Sequence, residues 1–302
     1  MESAEIVKSV SGFTCLWALL FFAAPFVFRK CAFSSEIYQK LSKHKKVDLC
    51  LRASSICAAS CAWSFAGYNL LYKLRADDPL NEPNDFASIP LLFMTGFFTL
   101  DTIVCIYLRE EYGAATYQYF GHHFVAIVGF YNALRYQECL WFANYRLLSE
   151  LSTPLINIRA IMNAFDLKEK YSSLYSANRV FTMLAFFTSR IATIPYFWIH
   201  SYRRYDDLLN CDWKIIAMLF LSGVVLDFLN IQWFVLILKI ASVEFKKIPK
   251  IAKEKTETLK ISLREKKDNV YQTIQTAKTD FRENVSYRIN RVRRRLSALR
   301  PE

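Results

Sequence analysis

Glycine and proline are scarce in this chain, 7 and 8 of its 302 residues, and histidine occurs 4 times. With a hydrophobic fraction of 53%, that scarcity excludes a low-complexity chain and excludes intrinsic disorder. The 8 cysteines include no CxxC pair, so the strongest zinc signature is missing. Cys57 and Cys61 are spaced as two ligands on one helix can be, but no histidine or acid accompanies them. They read as apolar packing, and no metal is expected. P-loop, GxSxG and zinc-protease signatures are absent, which leaves most enzyme classes without support. No aromatic-basic module occurs either, so nucleic acid is not an expected partner. The first residues, MESAEIVKSV, hold two acids and one lysine, unlike the basic, acid-poor start of a mitochondrial presequence. No small-x-small cleavage site follows a short apolar core, so the first apolar block reads as a retained anchor.

What the chain does have is long apolar blocks, each bounded by charge. Seven membrane spans are predicted, at 11–28, 53–72, 88–108, 118–134, 138–158, 180–200 and 215–238. Each is near the ~20 residues needed to cross a hydrocarbon core of ~30 Å. A soluble helical bundle would need polar faces at helical spacing, and LWALLFFAAPFVF (16–28) has none. The predicted fold is therefore an all-α, multi-pass transmembrane helical bundle. Lys and Arg set its orientation. With the N-terminus lumenal, the inside loops carry twelve, the outside segments seven, and residues 242–302 add seventeen more inside. The C-terminus is then cytosolic. Near the opposite face, Cys139 and Cys211 form a candidate disulfide pair, while Cys31 and Cys50 flank the first cytosolic loop as palmitoylation candidates.

An ionisable group at mid-span costs roughly 2.5–3.5 kcal/mol on insertion scales, so each one needs a partner or a task. The spans hold Asp101, His122, His123, Arg146, Glu150, Arg190 and Asp227. The plain alternative to a site is that the acids and arginines form neutral pairs, Arg190 with Asp227 for one. Depth favours a site. At 1.5 Å per residue, Asp101, His122 and Glu150 fall roughly 10, 6 and 12 Å below the cytosolic ends of three different spans. In ANYRLLSELSTPLINIR (143–159), Arg146, Glu150, Thr153 and Asn157 follow at steps that line one helix face. Pro154 has no N–H for the Glu150 carbonyl, which predicts a kink and a free acceptor beside an acid. Such a stretch forms either a cavity wall or a polar seam between helices.

Residues 121–129 read GHHFVAIVG. Adjacent histidines on a helix point about 100° apart, so they do not readily chelate one ion together. One can face an acid such as Glu150 while the other faces a substrate, water or lipid headgroups. A neutral imidazole near its ordinary pKa can take or give a proton, which suits acyl transfer. The alternative is that both rings simply hydrogen-bond neighbouring helices.

These segments also carry a resemblance. GHHFVAIVGFYNALRY, FANYRLLSELSTPLINIRAIM and FTMLAFFTSRIATIPYF are similar to the TLC domain, whose name joins the TRAM, Lag and ceroid-lipofuscinosis proteins. The likeness runs from about Lys45 to Lys246 and is closest to the TLC-domain-containing transmembrane proteins. Their hallmark resembles Glu150 to Pro154 followed by Asn157 and Arg159. The resemblance implies a helical membrane fold in the endoplasmic reticulum or a related membrane, tied to lipid synthesis, sensing or composition. The ceramide synthase branch has a histidine pair and then two aspartates separated by two residues. His122 and His123 match the pair, Glu150 stands at the first aspartate, and Thr153 replaces the second. The resemblance thus carries over the fold and leaves N-acylation behind.

Residues 242–302 hold 17 Lys/Arg against 8 Asp/Glu. Val270, Ile274 and Ala277 recur eleven residues later near Phe281, Val285 and Ile289, then at Val292, Leu296 and Leu299. An eleven-residue recurrence keeps an apolar stripe nearly straight on a helix. A basic amphipathic helix of this kind can lie on the anionic cytosolic leaflet; a protein partner or a solvated tail are the alternatives. Three regions result: 1–44 with the anchor and first cytosolic loop, 45–246 as TLC domain, and 247–302 as basic tail. The leading expectation is a protein that binds or senses membrane lipid and influences lipid composition. His122, His123 and Glu150 would form its centre, with Asp101, Arg146, Thr153, Asn157, Arg190 and Asp227 contacting lipid, and no cofactor. Two other classes compete: an acyltransferase using acyl-CoA as substrate with a histidine base, and a translocation or cargo-receptor factor. The expected location is the endoplasmic reticulum, with the plasma membrane as alternative.

Overall fold

Lipid offers the backbone no hydrogen bonds, so a spanning segment must satisfy its own peptide groups as a helix or within a closed barrel. The computed structural model describes residues 1–30, 35–75, 85–245, 260–276 and 278, and among them every regular element is helical, with no strand. Helix α1 (Ser3–Lys30) is followed by short α2 (Ser35–Lys40) and then by α3 (Lys43–Tyr72) and α4 (Asp85–Tyr107). After these come α5 (Arg109–Tyr112), α6 (Ala115–Tyr136) and α7 (Leu140–Leu147). A 3-10 turn (Leu148–Ser152) joins α7 to α8 (Thr153–Ala164), and α9 (Leu167–Lys170) leads to α10 (Ser172–Phe186). A π turn (Phe187–Ile191) joins α10 to α11 (Thr193–Arg203), and α12 (Tyr205–Leu209) and α13 (Trp213–Phe245) follow.

Five segments are long and apolar enough to cross a membrane: Ser3–Lys30, Lys43–Tyr72, Asp85–Tyr107, Ser172–Arg203 and Trp213–Ser242. They match five of the seven expected spans. The other two, 118–134 and 138–158, correspond to α6 and to the α7–α8 stretch. Helix α6 has the length but not the apolarity of the five, and α7 and α8 are separated by the 3-10 turn. On α1, Leu19, Phe22 and Phe26 expose 68%, 68% and 66% of their surface, an unremarkable state only where lipid is the solvent.

Local chemistry explains the helix ends and contacts. Ser42 accepts from the Lys45 N–H at 3.2 Å and starts α3 ten residues before the expected span. In α1, Glu5 sits in the first turn and Arg29 and Lys30 in the last, each opposing the helix dipole. Helix α4 packs against α1, α3, α6 and α7. Gly96 lets α1 come close: a Cβ there would lie 2.7 Å from the Phe13 Cβ. Thr14 Oγ1 donates to the Gly96 carbonyl at 3.1 Å and Trp17 Nε1 to the Phe93 carbonyl at 3.1 Å. Within α4, Pro90 has no N–H for the Phe86 carbonyl. The Asn69 amide donates to that oxygen at 3.1 Å and to Asn144 Oδ1 at 3.0 Å, while Asn144 donates to the Ala87 carbonyl at 3.0 Å. Two buried amides thereby tie α3, α4 and α7 together where proline opened the ladder.

Two units make up the chain, Met1–Leu238 and Lys239–Glu302. In the second, residues 260–276 are helical and Val270 and Ile274 are each 59% exposed. Ala277, the recurrences from Phe281 onward, Asn284 and Cys31 lie outside the described residues. Cys50 is buried at 4% exposure, which sets it against the palmitoylation expected of it.

Candidate functional site

The polar groups of the spans resolve into separate networks. Arg146 on α7 meets Asp227 on α13 through two hydrogen bonds, 2.6 and 3.3 Å, and the Trp198 indole donates to the same carboxylate at 2.7 Å. The Arg146 guanidinium lies 3.6 Å over the Phe197 ring. Arg190 is held on every side: Nε donates to Ser152 Oγ at 3.0 Å, Nη1 to Asn230 Oδ1 at 3.1 Å, and Nη2 to Thr153 Oγ1 at 3.0 Å. Thr153 Oγ1 in turn donates to Glu150 Oε2 at 2.7 Å, and the guanidinium reaches Glu150 Oε1 at 3.6 Å. Glu150 lies in the 3-10 turn and Arg190 in the π turn, so two breaks in helical regularity face each other across one ion pair. Irregular backbone at membrane depth is tolerated where protein surrounds it or where it lines a cavity, and π turns recur at functional sites.

The two histidines of α6 part company. His123 is buried and has Thr102 Oγ1 3.1 Å from Nδ1, Asp101 Oδ2 3.5 Å from Nε2, and the Phe98 ring stacked at 5.2 Å. His122 meets Phe98 edge-on and Trp233 at 5.7 Å, and its buried Nδ1 has no hydrogen-bond partner. It lines a small cleft with Tyr145, Arg146, Ser149, Arg190 and Asn230. A second, mostly apolar cleft adjoins it, lined by Phe130, Ile215, Met218 and Leu219 among others. Arg146 and Leu226 belong to both. A further polar group sits where α3 meets α5 and α8. Tyr112 donates to Asp48 at 2.6 Å, Arg52 to Asp48 at 2.8 Å and to Asn157 at 3.2 Å, and Asn157 to Ser55 at 3.0 Å.

Set against known proteins, residues 11–239 match the family profile described as the TLC domain. The chain belongs to the TLC domain family. Among curated relatives it is 27% identical to TLC domain-containing protein 4 of Homo sapiens, over 77% of this chain and 89% of that protein. It is 29% identical to TLC domain-containing protein 4-B of Xenopus laevis, over 67% of this chain and 77% of the relative. The form 4-B of Danio rerio is 29% identical over 65% of this chain and 74% of its own length. These relatives are not ceramide synthases. No solved structure gives a significant match.

Inside the TLC domain, several expected neighbours are exchanged. The acid beside the histidine pair is Asp101, not Glu150, because α4 packs on α6 while Glu150 is drawn to Arg190 through Thr153. The pair of Arg190 with Asp227 does not form; Arg146 takes Asp227 and leaves Glu150 to Arg190. Nor is the Glu150 carbonyl free, since the Thr153 N–H bonds to it three residues on, closing the 3-10 turn. Asn157 belongs to the Asp48–Arg52 group rather than to the cleft. Cys139 and Cys211 do come together, both buried, as free thiols with sulfurs 4.0 Å apart. The TLC domain also uses residues that no span pattern singled out: Asp48, Arg52, Tyr112, Trp198 and Asn230. Asp48 and Arg52 precede the expected span and read as loop charge. Pro195 was a usable signal for the π turn, since its missing N–H leaves the Ile191 carbonyl without a ladder bond.

Proposed function

We propose that this TLC-domain membrane protein binds a lipid within the bundle and through it senses or adjusts membrane lipid composition. The observation that carries the reading is the pair of adjoining clefts, one polar and one apolar, which share Arg146 and Leu226. That is the complement of an amphipathic molecule: head beside His122, Arg146, Arg190 and Asn230, chain along Phe130, Met218 and Leu219. Ligand sites of this kind are mostly apolar with a few convergent polar groups. The arginines are charge-matched already, so the head is recognised by hydrogen bonds more than by net charge. Mass spectrometry of lipid retained by gently purified protein tests this. A defined lipid class should co-purify with the native chain and be lost in Leu226→Trp, which fills the shared wall. Identical lipid profiles for the two proteins would overturn the reading.

The second reading is a lipid acyltransferase using acyl-CoA, and one observation favours it: His122 lines the cleft and its buried Nδ1 has no hydrogen-bond partner. His123 is committed to Thr102 and Asp101, so His122 would be the base that takes a proton from the attacking group. The discriminating result is acyl transfer by the purified protein that disappears in His122→Ala while lipid retention persists. A cargo or translocation factor would show neither property.

The same proposal includes seven crossings, with α6 and the α7–α8 stretch as fourth and fifth, a lumenal N-terminus and a cytosolic C-terminus in the endoplasmic reticulum. Support comes from the Lys/Arg distribution, which favours the segments placed on the cytosolic side. The basic tail then faces the anionic leaflet, each Lys or Arg near that surface contributing about 1 kcal/mol before screening.

A further inference from the structure

Each of three acids in or beside the spans faces an arginine: Asp48 with Arg52, Glu150 with Arg190, and Asp227 with Arg146. Asp101 faces His123 and Cys105 instead. Asp101 and Cys105 stand four apart on α4 and so share a face, and α6 brings His123 against them. One donor atom from each residue lies within 4.8 Å of the other two.

The hydrogen bonds around the imidazole determine what its far nitrogen can do. Thr102 Oγ1 donates to the Phe98 carbonyl at 2.7 Å, so its lone pair faces His123 Nδ1 at 3.1 Å and accepts from it. A neutral ring then presents the Nε2 lone pair to Asp101 Oδ2, acceptor against acceptor. Their separation of 3.5 Å is long for a charge-assisted hydrogen bond, which runs about 2.7–2.9 Å. It is the spacing of two donors around one tetrahedral ion: bonds of about 2.0–2.3 Å place ligand atoms roughly 3.3–3.7 Å apart. The Cys105 thiol lies 3.2 Å from Asp101 Oδ1, near the same range, and closing all three onto one centre needs a shift of about an ångström. Thr102 fixes the tautomer from outside, as the hydrogen-bonded partners of metal-bound histidines do.

We propose that Asp101, Cys105 and His123 bind a zinc ion between α4 and α6. Nitrogen, sulfur and carboxylate oxygen are the zinc donor set, and three protein ligands leave a fourth position for water. A divalent cation with one carboxylate and one thiolate is net neutral, which suits a site buried in a membrane bundle. The ion ties α4 to α6 and leaves His122, which lines the cleft and is not among the three donors, outside the coordination sphere. The absence of metal expected from the sequence rested on local spacing, and a ligand set split between α4 and α6 has no local spacing to find.

The test uses full-length protein purified in detergent without a histidine tag. Equilibrated with buffered zinc, it should hold about one ion per chain. With cobalt in place of zinc it should develop a thiolate-to-metal charge-transfer band. Cys105→Ser should abolish that band and weaken zinc binding at least tenfold, with an unchanged elution profile. Thr102→Val, a positioning change, should weaken binding about 10–100-fold. Should Cys105→Ser not fold, the near-isosteric Asp101→Asn carries the same loss of zinc, and the native cobalt spectrum decides independently. Zinc content no higher than in Asp101→Asn, or bound cobalt without the thiolate band, would overturn the proposal. Neither measurement depends on lipid retention, so the two proposals fail separately.

Discussion

Arg146 and Asp227 meet across 81 residues of sequence with Trp198 as a third partner, and little of either charge reaches solvent, 12% and 8% by side chain. Removing one member of such a pair leaves the other buried and uncompensated. Asp227→Asn and Arg146→Met should each destabilise the protein by about 3–5 kcal/mol, read as thermal unfolding in detergent, and the double variant should recover part of the loss. Trp198→Phe, which deletes one hydrogen bond to a charged group, should cost about 1.5–3 kcal/mol. An equal effect of the double variant and the sum of the singles would show that the residues are not coupled. At this scale the sequence was partly legible. Every charge inside the spans was visible as an anomaly, but three acids and two arginines admit several pairings, and only packing chooses among them. Glu150 went to Arg190 because Thr153 bridges them, a relay that no spacing rule contains.

Among the elements, α1 depends on one residue of α4. A side chain at position 96 would overlap Phe13 and press on the Thr14 backbone, so Gly96→Val should cost about 1–3 kcal/mol from overpacking and loosen α1. Proteolysis after residue 30 should accelerate in that variant and not in Gly12→Ala, where the space is open. Short α2 carries a second test. Tyr38 packs with Leu49 and Phe165, and burial, with Cys50 nearby, pushes its phenol up from 10.0 to about 12. A raised pKa of this sign favours the protonated folded form. The contribution is complete below pH 10 and is lost as pH rises toward about 12. Unfolding midpoints should therefore fall across that window, and Tyr38→Phe should make the fall shallower. The long apolar helices were legible by length alone, and Pro154 announced the irregular turn at Glu150. The early start of α3 was not, because Asp48 and Arg52 look like loop residues until Tyr112 and Asn157 are seen to satisfy them.

For the whole molecule, topology is the property most open to a simple check. Asn284, Val285 and Ser286 form a glycan acceptor sequon. With a cytosolic C-terminus it should stay unmodified, whereas a sequon engineered into the 201–214 segment should gain sugar, both read as glycosidase-sensitive mobility. Sugar on Asn284 would reverse the orientation. All-helical architecture followed from the apolar blocks, since no other fold lets them cross lipid without a barrel. The arrangement that creates adjoining clefts did not, because it depends on which helices touch. That arrangement also bears on how the protein is made. Arg146 emerges from the ribosome long before Asp227, its partner on the last long helix. Until α13 follows, that guanidinium has no carboxylate of Asp227 to face. Chains cut short of α13 should therefore fold poorly, read as a lower yield of detergent-stable protein.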